Sequence, residues 1–238
     1  MILRFGACSL LLTATVVACF PDPHGDYNDF VEKTAEQRQQ AGEPPDGGGI
    51  VVEAGPPPAE ATTGTYFVAC LPNLGFGDVS KSLRFVGRTE YTPAEEGVGG
   101  KLSLKLAPIP LAQADAGVTT ATYDVNDTVG EPLNVGDAIA VGADGKFNGA
   151  VAVATIDGSA NPISGGNITV ENIKLGGTFT ASGPFCSGFE GKVTAPIKND
   201  FIAKCIYLPV EDGTAYTITA TSLTIDGQTF GASDFGCK

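Results

Sequence analysis

From Thr63 to Lys238 the chain is a succession of short runs in which apolar or β-branched residues alternate with polar ones, and none sustains a helical apolar period of useful length. This pattern constrains the fold more than any other feature, because a period of two puts one set of side chains on one face of a sheet. Without crossover helices the strands cannot form a parallel α/β sheet, so they are expected to pair antiparallel. The runs fall at 65–71, 82–91, 101–108, 119–125, 138–142, 147–156, 167–175, 178–181, 191–196, 201–210 and 215–225. Their spacing and glycine-rich punctuation predict an all-β domain over 63–238, an antiparallel β-sandwich or a barrel-like one.

Two runs stand apart. Tyr66–Leu71 is apolar on both alternating sets, and Phe201–Leu208 is too except at Lys204, as expected of strands covered on both faces. The turns Asp144-Gly145, Glu211-Asp212-Gly213 and Asp226-Gly227 place glycine where a positive φ is needed and predict hairpins. Lys101, Lys105 and Lys174 are expected to blunt sheet edges.

The first residues carry a different message. Arg4 is followed by an apolar run from Phe5 to Ala18, broken only by Ser9, Thr13 and Thr15 and too short to span a membrane comfortably. It reads as a signal peptide over 1–18. Val16-Val17-Ala18-Cys19 resembles a bacterial lipobox, whose cysteine becomes the acylated N-terminus; the alternative is ordinary cleavage after Ala18, with Cys19 a plain thiol. Cysteine parity favours acylation. Cys8 leaves with the signal, and lipidating Cys19 leaves Cys70, Cys186, Cys205 and Cys237, which can pair completely as two disulfides in an oxidising compartment. Four cysteines allow three pairings, and the sequence does not choose among them.

Residues 19–62 then form the acylated N-terminus, a short helix over 26–40 with Tyr27 and Phe30 on one face, and a Pro/Gly-rich acidic linker. From Phe20 to Thr62 there are nine acids and two bases; from Thr63 onward there are eighteen acids and eleven bases. Both parts are therefore net acidic, which disfavours nucleic acid as a partner. Phe20, where an aspartate tends to mark inner-membrane retention, leans the location towards the outer membrane of the bacterial envelope.

Catalytic signatures are scarce. His24 is the only histidine and sits in the tether, so neither a Ser-His-Asp mechanism nor zinc hydrolysis has its base or ligands. Glu95-Glu96 are adjacent on an extended chain and point apart. The segments 124–127 and 157–161 are oxygen-rich turns that match no EF-hand, and turn chemistry alone explains their composition. Tyr91 and Tyr123 are the exposed tyrosines available for stacking on a ligand. No catalytic, cofactor or metal residue is assigned.

The stretch from Cys19 to Thr34, with the pattern D-x-x-G-D-Y-x-x-F-x-x-x-T beginning at Asp22-Pro23, resembles a group of uncharacterised bacterial lipoproteins of myxobacterial type. Looser matches follow at 160–163, 185–188, 191–193 and 229–232. The resemblance implies a lipid anchor at Cys19 ahead of a β-rich body and carries no biochemical activity. The expectation is a membrane-anchored envelope lipoprotein, held in the bilayer through acylated Cys19, whose non-enzymatic β domain binds a protein or envelope ligand or serves a structural role. Two alternatives stand beside it: a carboxylate-based, calcium-assisted envelope hydrolase or lyase, and a small-molecule carrier with a cavity between sheets.

Overall fold

The computed structural model describes residues 57–58, 60–94, 99–112, 118–180, 183–196 and 198–236. The signal, Cys19, His24, the 26–40 helix, Glu95-Glu96 and Cys237 lie outside the described residues. In chain order the strands are β1 (Thr62–Pro72), β2 (Leu83–Pro93), β3 (Gly100–Pro108), β4 (Thr119–Thr122), β5 (Leu133–Val141), β6 (Lys146–Ile156), β7 (Ile168–Thr178), β8 (Phe185–Ala195), β9 (Asn199–Leu208), β10 (Ala215–Ile218), β11 (Ser222–Ile225) and β12 (Gln228–Gly231). Eight close into an antiparallel barrel in the order β1-β2-β3-β5-β6-β7-β8-β9, and β12-β11-β10-β4 form a second sheet. Of the two architectures the pattern allowed, the protein adopts the barrel.

Alternation decides what fills it. On β1, Tyr66, Val68 and Cys70 point inward, and Phe185 stacks on Tyr207 with ring centroids 4.0 Å apart while Tyr66 meets Phe185 edge-on at 5.0 Å. Such aromatic pairs add to the burial of their large apolar areas. The interior is thus a packed core. The opposite set on β1, Phe67, Ala69 and Leu71, joins Val86, Ile206 and Leu208 against Tyr123, Tyr216, Leu223 and Phe230 of the small sheet and its approach, making a second core outside the barrel. That layering is why 66–71 is apolar on both faces. On β9 the cover begins only at Ile206, leaving Lys204 exposed and Ile202 half exposed.

Elsewhere the barrel's outward positions carry Arg88, Lys101, Lys105, Lys174, Glu190 and Lys192, all exposed. A charged exterior around an apolar interior is the reverse of a membrane-spanning barrel. The three lysines do not lie on edges as expected, because β3 and β7 have paired neighbours on both sides.

Several segments depart from the pattern for identifiable reasons. The run 178–181 is no separate strand, since β7 continues to Thr178. Pro184–Gly188, whose glycine and serine suggest a turn, instead leads straight into β8 at Phe185, with Cys186 buried. Glycine serves close approach here: a Cβ on Gly177 would collide with the carbonyl oxygen of Cys186. The run 215–225 breaks into β10 and β11 without glycine or proline, because the Thr219 hydroxyl accepts the N–H groups of Thr221 and Ser222 at 3.2 and 3.0 Å. Asp226-Gly227 makes the expected hairpin, with φ of 49° and 71°. Glu211–Gly213 does not: it carries the chain from β9 in the barrel to β10 in the other sheet, with Gly213 N–H donating to Tyr123 O at 2.8 Å.

Cys70 and Cys205 face each other in the β1–β9 register and form a disulfide, with Cα atoms 4.0 Å apart and a sequence separation of 135. The two cysteines of the doubly covered runs therefore pair with each other. Cys186 is also disulfide-bonded.

Candidate functional site

The one seam in the barrel lies between β5 and β6. Their ladder consists of Val141 opposite Phe147, whereas on its other side β6 pairs β7 from Lys146–Thr178 to Ile156–Ile168. The cause is local. Gly136 takes a φ of 157° and β5 shifts register against β3 between Leu102 and Lys105, which bends it. Gly149 then leaves room for Val135 to pass over β6, since a Cβ there would collide with the valine side chain. β5 crosses β6 instead of running beside it.

Above that crossing the strands part around an open cleft of about 460 Å³, lined by Leu133, Asn134, Val151 and Val153 together with the acidic Glu131 and Asp157. Ala150, Ala152 and Thr155 of β6 are exposed, and Val153 is 55% exposed. Of these residues the sequence singles out only Asp157, as part of an oxygen-rich turn, because the crossing depends on two glycines that read as ordinary strand interruptions.

Two carboxylates in one cleft are the arrangement a glycosidase-type mechanism requires, so their state matters. Asp157 accepts both the N–H and the hydroxyl of Ser159, at 2.8 and 2.6 Å, which holds its carboxyl below the usual carboxylate range. It stays ionised at neutral pH, which fits the ionised member of such a pair and not its acid. The oxygen-rich turns are spent similarly. Asp124 accepts the Asn126 N–H at 2.8 Å, Asn161 bonds Ser164, Gly166 and Ile163, and Asn167 accepts the Gly158 N–H. Among the described residues no group of three His, Cys, Asp or Glu side chains is placed to hold a metal ion.

Tyr91 and Tyr123 are buried, not exposed, each at 1%. The Tyr91 hydroxyl donates to Gly99 O at 2.8 Å and that of Tyr123 to Tyr66 O at 3.0 Å. Burial pushes both phenols up, that of Tyr123 further beside the Asp212 carboxylate with Arg88 opposing. They are core residues. Among the described residues the exposed aromatic is Phe76, 97% accessible at the tip of the β1–β2 loop with a φ of 51°. That loop is fixed by Phe76 N–H to Asn73 O, Asp78 N–H to Gly75 O and Ile202 N–H to the Asn73 side chain.

Arg84 is the oddest polar group. It sits in the second core at 3% exposure beneath Tyr216, with its Nε and Nη1 lacking any hydrogen-bond partner. Desolvation lowers its pKa, and the neighbouring Tyr216 opposes that shift. No cleft described here opens onto it.

The structure brings together Cys70 and Cys205 of the sequence-derived residues and places Cys186 in a strand. Comparison with protein-family models, curated proteins and solved structures gives no match to this chain.

Proposed function

We propose that this chain is a lipid-anchored envelope protein, held through acylated Cys19 and leaning towards the outer membrane, whose barrel is a rigid non-enzymatic binding or structural module. The observation that carries the binding reading is the filled barrel. With Tyr66, Phe147, Phe179, Phe185, Phe189 and Tyr207 packed inside, a ligand has only the outer surface to meet, and the carrier alternative draws no support. Oxidised Cys70 and Cys205 are in keeping with an exported protein. In the cleft that joins Glu131 and Asp157, the turn-capping Asp157 stays ionised and so is not itself a general acid for the hydrolase alternative.

The test is chemical cross-linking on intact cells, followed by mass spectrometry, with wild type and Cys19→Ser compared at equal expression. The reading predicts cross-links from outward barrel residues to an envelope component in wild type, lost or redirected when the anchor is removed. Identical cross-links in the two strains would speak against an anchored module.

A further inference from the structure

The geometry points to the β5–β6 seam as the place where the barrel takes up a single extended strand of another protein, built of small apolar and hydroxyl residues and headed by a basic one directed at Glu131 and Asp157. This rests on the binding-module reading and says which surface does the binding.

Backbone chemistry supplies the attraction. Residues of an antiparallel strand point their N–H and C=O groups alternately to the two sides, and above Phe147 β6 has a ladder only with β7 among the described residues. Every second residue from Ala150 to Thr155 therefore offers its backbone groups to the seam. A free edge of this kind is a template for another strand, and most proteins guard it with charge, proline or a cover. Phe147–Ile156 contains no charged residue and no proline. Val153 lies more than half exposed beside it.

The occupant follows from the walls. β5 bounds the far side of the cleft through Leu133 and Asn134, so one strand can enter but the edge of a folded sheet, with its own neighbours, would meet β5. Both ionisable residues of the lining, Glu131 and Asp157, are acidic. Asp157 accepts both of its Ser159 bonds through Oδ1. Charge complementarity therefore orients the incoming strand with its basic end towards these two carboxylates.

The test uses the full mature chain in detergent micelles and amide hydrogen exchange read by NMR, first alone and then with acetyl-Lys-Val-Thr-Val-Thr-Val-amide as probe. Alone, amides from Ala150 to Thr155 should alternate, those facing the seam exchanging roughly tenfold or more faster than those facing β7. The probe should slow the fast set, and Glu131→Lys, at an exposed site that leaves the fold intact, should weaken its binding by about threefold to fivefold. Uniform protection in the free protein would overturn the proposal, as would a fast set indifferent to millimolar probe. Protection that appears only as protein concentration rises would assign the edge to a second copy and overturn it equally. None of these results bears on acylation of Cys19, which is read separately.

Discussion

At the scale of single residues, Arg84 and Phe76 show what an alternating pattern conceals. In Leu83–Pro93 both Arg84 and Arg88 occupy outward positions, and Arg88 is indeed exposed, its guanidinium donating to Val125 O at 3.1 Å. Arg84 is buried only because the small sheet lies over that end of β2, a tertiary fact that local alternation does not contain. A buried charge lacking full compensation opposes folding, and apolar replacement of buried ionic groups is often neutral or stabilising. Arg84→Met should therefore raise the unfolding free energy by about 1 to 3 kcal/mol in urea melts, and a loss of stability would show that Arg84 has a partner in solution. Phe76 was equally hidden, since Gly75-Phe76-Gly77 reads as a turn in which any residue is solvated. Its positive φ costs on the order of 1 kcal/mol and it buries nothing, so Phe76→Gly should leave stability unchanged or slightly higher in the same assay.

At the scale of elements, the strands with a clear period of two were legible, and the failures cluster where backbone, not side chain, decides. Gly177 lets β7 and β8 approach, whereas the same residue type at Gly145 and Gly227 turns the chain; composition does not separate these uses. The turn before β11 was unreadable because Thr219 makes it by side-chain bonding. Thr219→Val keeps the shape and removes the acceptor, and should cost about 1 kcal/mol in thermal unfolding. The doubly apolar runs were the best guide to the architecture, since they become β1 and β9, where both cores meet. Their disulfide closes a loop of about 135 residues. Replacing Cys70 and Cys205 together by Ala should lower stability by about 2 to 5 kcal/mol, measured against wild type by denaturant titration; no loss would mean that strand pairing alone holds the seam between β1 and β9.

At the scale of the whole molecule, the filled barrel has a signature in alkali. Burial raises the phenol pKa of Tyr66, Tyr91, Tyr123 and Tyr207 above 10.0. The native state thus keeps protons that the unfolded chain releases, so this contribution is complete below pH 10.0 and is lost as pH climbs past it. Melting temperature should fall steeply above that pH, with the tyrosinate absorbance of these four appearing together with loss of the β signal; tyrosinate from more than two of the chain's six tyrosines in an intact barrel would refute the packing. The seam depends on Gly136 and Gly149 letting β5 cross β6, which no residue type announces, whereas the proposed address rests on Val16-Val17-Ala18-Cys19, a pattern that acylation would read as a linear sequence. The central claim, a barrel tethered to the bilayer, is tested most directly by metabolic labelling with a palmitate analogue in wild type and Cys19→Ser. The account predicts label on the wild-type band and none on the variant; equal labelling of the two, or labelling of neither, would contradict it.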